Sequence, residues 1–262
     1  DIDDRAAQMA AFAVLMKARE DDRRIFDRIA SNDIKLSIYS LQSTEHLDIN
    51  QLWSDLDLEG KHQAGSMSGL FDEDFDEASS RVEPSGEYKA YLDLLRYLKA
   101  QFIEAKNLGS LVDIKSKYLD NLQSLHEKLL VKSIASDTIS SPAAEKLIPI
   151  VEQAILLSMR YDVVVANPPY MGSTGMNAGL KAFANKQYPN SKSDLFAIFM
   201  ERTLNLLTET GYNAQVNMQS WMFLSSYEKM RESLLETKTF ITMAHLGARA
   251  FGQISGEVVQ TT

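Results

Sequence analysis

The stretch YDVVVANPPYMG, at positions 161–172, constrains the fold more than any other part of the chain. The β-branched run Val163–Val165 is bounded by turn residues, which predicts a short buried strand in a sheet covered on both faces. The strand must end at Asn167, because Pro168 and Pro169 fix φ and lack an N–H donor. A rigid elbow of this kind, at the carboxyl end of a parallel strand, is where open α/β sheets bind ligands.

The composition excludes several classes of protein. The chain has no cysteine, so disulfides and thiolate metal sites are impossible, and a reducing cytoplasm is the simplest location. A net charge of −9 argues against a free-standing nucleic-acid binder, since phosphate contacts need clustered Lys and Arg. No apolar run approaches the roughly 20 residues of a membrane span. No metal site is predicted, because the four histidines lack ligand spacing: His46, His62, His126 and His245.

The first part of the chain has helical periodicity. Apolar side chains recur on one helical face over residues 5–30, and again from Tyr88 to Phe102. Two further helices are predicted over about residues 113–133 and 142–159. Residues 59–87 mix Gly, Ser and acidic side chains with little periodicity, which predicts a flexible loop.

From residue 161 the pattern changes to alternating strands and helices. Such alternation predicts a parallel sheet with helical crossovers. After the first strand, the predicted elements are a helix at 193–208 capped by Ser193, a strand at 212–218, a helix at 225–236, a strand at 239–246 and the start of another strand at 257–262.

The NPPY elbow offers groups that suit methyl transfer to an amino group. The side-chain carbonyl of Asn167 and the backbone carbonyl of Pro168 can together accept both hydrogens of one exocyclic amine. Two such acceptors favour a more tetrahedral nitrogen, which makes its lone pair available to an electrophilic methyl group. Tyr170 provides a flat face on which a base extruded from a duplex can stack.

NPPY after an apolar strand resembles the catalytic motif of the N6-adenine DNA methyltransferases, which use S-adenosylmethionine. The stretches KSDLFAIFMERTLNLL, SWMFLSSYEKMRESLL and HLGARAFGQISGEVVQTT are similar to the large adenine methyltransferases of BREX phage-defence systems, the PglX type. The resemblance implies that Asn167, Pro168, Pro169 and Tyr170 form the catalytic motif. It also implies double-stranded DNA as substrate, held by a recognition domain of a parent protein, with other defence-system proteins as candidate partners.

The same resemblance implies positions for the cofactor and the target base. The opening DIDDRA is similar to the acidic segment that holds the cofactor ribose, so Asp1 is the best candidate and Asp3 a second. Asp3 equally suits a helix cap. Ser110, in LGSL, lies where the family contacts the cofactor adenine. Phe251, in LGARAF, matches the second aromatic wall of the base pocket, with ordinary core packing as the alternative.

The family's glycine-rich methionine-binding loop should precede Asp1, and no glycine of the chain forms that pattern after a strand. The resemblance therefore implies an α/β fold with an incomplete Rossmann-like methyltransferase sheet, lacking its first strand and glycine-rich loop, and with a large helical insertion. The expected organisation is the start of a cofactor-domain helix at 1–30, a mostly helical insertion at 31–140 and the catalytic half at 141–262. The chain looks like an excised piece, expected to be inactive alone.

Two other functional interpretations are compatible with the sequence. A planar amide nitrogen suits the same elbow, so the chain could belong to a protein glutamine N5-methyltransferase acting on release factors. It could also be a non-catalytic scaffold piece of a defence complex. The long helical insertion favours the large DNA enzyme over the compact glutamine enzymes.

Overall fold

The computed structural model describes residues 2–32, 34, 36–60, 84–135, 137–247 and 261–262. The chain divides into two compact units, Asp1–Met159 and Arg160–Thr262. The first unit is helical and the second contains a parallel sheet, so the α/β class is confirmed. The functional division predicted at residues 30 and 140 stays a prediction.

The first unit contains seven α-helices among its described residues. They are α1 (Asp4–Asp21), α2 (Ile25–Asn32), α3 (Ile49–Leu56), α4 (Gly86–Phe102), α5 (Ala105–Leu108), α6 (Leu119–Ile134) and α7 (Ser140–Ser158). Short 3-10 turns lie at Gly109–Leu111 and Ser116–Tyr118. The helix predicted over 5–30 is interrupted at Asp22, where the backbone is extended. Most of the loop predicted at 59–87 lies outside the described residues, and α4 begins within its last residues.

The core of the first unit is the apolar face shared by α3, α4, α6 and α7. Leu56, Leu98, Leu125 and Val151, one from each helix, are fully buried there. These side chains recur at helical spacing in the sequence, which is why periodicity located α4, α6 and α7 correctly. Burial of this apolar stripe, rather than helix propensity, supplies most of the stability of such helices.

The second unit contains one crossover and a terminal helix. Its elements are β1 (Tyr161–Ala166), α8 (Ala178–Gln187), α9 (Leu195–Leu204), β2 (Leu207–Gln215) and α10 (Glu228–Thr237), with 3-10 turns at Gln219–Met222 and Ser225–Tyr227. The prediction that Ser193 caps α9 is wrong, because Asp194 holds that position. The strand predicted at 239–246 is also wrong. That segment has no ladder, and only the following Gly247 forms a bridge, to Thr261.

The described sheet consists of β1 and β2 in parallel, as the alternating pattern predicts. Tyr161 pairs with Leu207 and Val163 with Tyr212, so β2 bulges between these pairs. Gly211 lies in the bulge, where a Cβ atom would approach the Tyr161 carbonyl oxygen to 2.9 Å. Only glycine permits this close approach of the two backbones.

The prediction that the Val163–Val165 run is buried on both faces is wrong for this chain. Val163 is 58% exposed and Val165 is 75% exposed. The described strands cover only one edge of β1, which is the edge that pairs with β2. Strand propensity predicted β1 correctly, whereas burial depends on neighbours that propensity does not contain. Within the described residues, no helix combines the length and the apolar character needed to cross a membrane.

Candidate active site

The NPPY elbow follows β1 directly. Asn167 and Pro169 are exposed, Pro168 is buried and Tyr170 is half-buried. Among the described residues, no group hydrogen-bonds to the Asn167 carboxamide or to the Pro168 carbonyl. Among the described residues, the elbow therefore carries two acceptors without a protein partner, on a backbone whose conformation the prolines restrict.

Asp194 attaches the elbow to the start of α9. Its Oδ1 accepts from the backbone N–H of Met171 at 3.0 Å and from that of Phe196 at 3.2 Å. A second hydrogen bond joins the same two segments, because the N–H of Leu195 donates to the Met171 carbonyl at 3.0 Å. One carboxylate thus caps the helix and holds the residue next to Tyr170.

The Asp194 carboxylate is held in a low-dielectric position. Burial raises its pKa, and the hydrogen bonds from Phe196, Met171 and Leu195 oppose that rise. Tyr227 lies close enough to be affected in turn. Burial, together with the negative charge of Asp194, raises the pKa of Tyr227 to about 12.

Tyr170 is fixed at both ends of its side chain. Its hydroxyl donates to the Val216 carbonyl at 3.0 Å, one residue beyond β2. Its ring meets Phe196 edge-on, with the ring centroids 6.1 Å apart and the planes at 86°. It packs against the second unit's apolar cluster of Phe196, Ala197, Met200, Trp221, Tyr227, Met230 and Leu234. Tyr170 therefore connects the elbow to the start of α9 and to the residue that follows β2.

The predicted cofactor residues Asp3 and Ser110 lie in the first unit. Asp3 is exposed and caps α1, with its Oδ1 accepting from the Arg5 N–H at 2.8 Å. Ser110 is half-buried in the 3-10 turn that follows α5. Gly109 has φ +55°, and a Cβ atom there would lie 2.9 Å from Cγ2 of Ile2. The segments that carry Asp3 and Ser110 are therefore in close contact.

Asp4 reinforces this contact between α1 and α5. Its Oδ1 accepts from Lys106 Nζ at 2.8 Å and from Gln42 Nε2 at 2.9 Å, and it also accepts from the Ser40 hydroxyl. These bonds, with that to Lys106 the largest cause, hold the pKa of Asp4 well below its usual range. Asp1 and Phe251 lie outside the described residues.

Sequence reasoning missed the two anchors of the elbow, Asp194 and Val216. Asp is a preferred N-cap residue, so the SDLF sequence contained a usable signal for Asp194. No signal could identify Val216, because it contributes only a backbone carbonyl. Within the described part of the chain, no group of three His, Asp or Glu side chains is placed to hold a metal ion.

Comparison with known proteins decides the family. The family model described as "Eco57I restriction-modification methylase" matches residues 1–251, a range that includes the NPPY elbow, the whole first unit and most of the second. The chain belongs to the Eco57I methylase family. The resemblance to adenine-specific methyltransferases is therefore confirmed.

Proteins similar to the chain match it over different fractions of its length. Over its whole length it is 54% identical to the adenine-specific methyltransferase BrxX of Escherichia coli O9:H4 (strain HS). It is 35% identical, again over its whole length, to the adenine-specific methyltransferase PglX of Lacticaseibacillus casei (strain Zhang). The type II restriction enzyme and methyltransferase RM.Eco57I of Escherichia coli is 29% identical over 36% of the chain. The chain spans 21% of BrxX and 19% of PglX.

Proposed function

We propose that the chain forms the catalytic elbow of an S-adenosylmethionine-dependent DNA adenine N6-methyltransferase that acts in BREX-type phage defence. One observation carries the proposal. Within the part of the chain that the structure describes, the Asn167 carboxamide and the Pro168 carbonyl have no hydrogen-bond partner, and they lie next to an anchored aromatic ring. The family and the names of BrxX and PglX support adenine as the base. The lack of cysteine fits a cytoplasmic enzyme.

The elbow acts by hydrogen bonding and stacking. The Asn167 side-chain oxygen and the Pro168 carbonyl each accept one hydrogen of the adenine amino group, so the nitrogen lone pair leaves conjugation with the ring. Tyr170 stacks on the base, which must leave the duplex to reach the elbow. S-adenosylmethionine, when bound, would supply the electrophilic methyl group and would leave as S-adenosylhomocysteine. The nitrogen then releases one proton to solvent.

Cofactor recognition is proposed for the first unit. The Asp3 carboxylate would accept from the ribose hydroxyls, as acidic residues do in nucleotide-binding folds. Ser110, on the adjoining segment, would contact the cofactor's adenine. The contact between Ile2 and Gly109 supports this assignment, because it places the two segments side by side. Asp1 and Phe251 retain their proposed roles at the ribose and at the target base.

Methyl transfer from isotopically labelled S-adenosylmethionine tests the function. The complete protein, as its gene encodes it, is incubated with duplex DNA, with DNA in which 7-deazaadenine or N6-methyladenine replaces adenine, and with a glutamine-containing release-factor peptide. Label at N6 of adenine in unmodified DNA is the expected result. Label on the peptide alone would favour the glutamine enzyme. Transfer to neither would favour the scaffold.

Substitutions of Tyr170 separate the contribution of its ring from that of its hydroxyl. Tyr170→Phe keeps the stacking face and loses the bond to Val216, so methylation should stay within a few fold while stability falls by about 0.5–1.5 kcal/mol. Tyr170→Ala should also weaken capture of the flipped base, by about 1–3 kcal/mol. Fluorescence of 2-aminopurine at the target position measures capture, and urea unfolding measures stability.

Tyr212→Phe is the matched control, because Tyr212 is 60% exposed on β2. It should change neither capture nor stability. Equal base capture by Tyr170→Ala and the parent protein would contradict the stacking role.

A further inference from the structure

We infer that a basic cavity beside the elbow binds a backbone phosphate of the DNA strand that carries the target adenine; this rests on the proposed function. The cavity has a volume of about 340 Å³ and lies wholly within the second unit. Its lining consists of Ser173, Thr174, Lys181, Asn185, Lys192 and Ser193. Nothing in the methyl-transfer chemistry of the elbow uses these side chains.

Three segments enclose the cavity. Lys181 and Asn185 are four residues apart, and so lie on one face of α8. The loops at 173–174 and 192–193 form the other walls and are bonded together, since the Ser173 N–H donates to the Ser193 carbonyl at 2.9 Å. A further bridge joins Gly172 to Asp194. The walls are therefore fixed by the same contacts that hold Met171 and the elbow.

The cavity differs in charge from the chain as a whole. Its lining contains two lysines and no carboxylate, whereas the chain has a net charge of −9. Among the described residues, neither Lys181 nor Lys192 forms an ion pair. Acidic side chains neutralise lysines elsewhere on the chain, as at Lys106 and Lys115. The two cavity lysines are therefore available to an anion.

The lining matches the chemistry of a phosphodiester. Lysine ammonium groups, hydroxyls and carboxamides are the side-chain groups that contact phosphate oxygens in protein–DNA complexes. The volume of about 340 Å³ suffices for a phosphate group. The loop begins three residues after Tyr170, so a phosphate held there lies near the nucleotide that Tyr170 stacks on. Such a contact positions the strand without reading its sequence.

The salt dependence of DNA binding tests the cavity. In the complete protein, the double variant Lys181→Ala/Lys192→Ala should lower the magnitude of the slope of log K against log salt by about 0.9, because one phosphate is no longer neutralised. Each single variant should lower it by a smaller amount. Anisotropy of a fluorescent duplex from low to moderate KCl measures the slope. Lys181→Arg should retain it. Non-cognate duplexes should lose affinity equally, since the contact reads no base.

Lys186→Ala is the matched control, because Lys186 is exposed on α8 and does not line the cavity. It should leave the slope unchanged. An unchanged slope in the double variant, or an equal fall in Lys186→Ala, would overturn the inference. Methylation by the parent protein is measured on the same preparations. If the double variant has a smaller slope but the unsubstituted protein does not methylate DNA, the proposed function is refuted and the phosphate site is supported. If the unsubstituted protein methylates DNA but the double variant has an unchanged slope, the proposed function is supported and the phosphate site is refuted.

Discussion

Replacing Asn167 by alanine is expected to lower the methyl-transfer rate by a factor of about 100 or more, the usual loss when one preorganised group that stabilises a transition state is removed. The acceptor matters most as the amino nitrogen becomes tetrahedral, so the affinity for DNA should stay within about twofold. Single-turnover methylation beside equilibrium DNA binding separates the two effects. Folding should be unaffected, because no described residue hydrogen-bonds to the Asn167 side chain.

Asn190→Ala is the matched control for this experiment. Asn190 is exposed in the same unit and lies between α8 and α9, away from the elbow residues in sequence. It should methylate at the parent rate. If Asn167→Ala also did so, the elbow would be a structural turn, and the proposed hydrogen bonding to adenine would be wrong.

Replacing Asp194 by alanine is expected to lower both stability and activity. The variant loses the helix cap, worth about 0.5–2 kcal/mol, and leaves the Met171 N–H without its partner, at a cost of about 1–3 kcal/mol. The elbow would no longer be held against α9, so the methyl-transfer rate should fall by a larger factor than stability alone predicts. Urea unfolding of the second unit and single-turnover methylation at a temperature where the variant remains folded measure the two effects.

Asp194→Asn distinguishes the hydrogen bonds from the charge. Its side-chain oxygen can accept from the same two N–H groups, so the methylation rate should recover most of what alanine loses. If Asp194→Asn were as inactive as Asp194→Ala, methylation would require the charge of Asp194 and not its positioning of Met171. Asp120→Asn, on the first unit's helix α6, is a control for loss of one carboxylate elsewhere.

The pH dependence of stability gives a second measure of Asp194. Because burial raises its pKa, the folded state holds the proton more tightly than the unfolded state. The contribution of the Asp194 carboxyl group to stability is therefore fully present below its usual pKa of 3.8, and it is lost as the pH rises through the pKa of the folded state. The parent protein should lose stability relative to Asp194→Asn over that rise. Urea unfolding at a series of pH values checks the direction, and an opposite trend would contradict it.

Local sequence predicted the parts of the fold that depend on local forces. The valine run and the following prolines located β1 and its end, and apolar periodicity located α4, α6 and α7. NPPY pointed to the family that the comparisons then showed. In each case the determining contacts lie within a few residues, or the motif itself contains the chemistry.

The parts that sequence could not predict depend on distant partners. The alternation at 239–246 favours a strand, yet a strand forms only where another segment supplies a ladder. The exposure of Val163 and Val165 depends on what covers the sheet. The contact of Ile2 with Gly109 joins residues far apart in the chain, and the Val216 carbonyl has no side-chain signal.

The pairing of β1 with β2 also affects the order of folding. The two strands are separated by α8, α9 and their loops, so their pairing requires closure of a long connection, while the helices form from neighbouring residues. We therefore expect the crossover helices to form before the sheet. During that interval both edges of the valine-rich strand are open to other chains, and an incompletely folded copy can pair there. The long connection between the two strands is thus expected to leave the newly made protein open to aggregation until the sheet has formed.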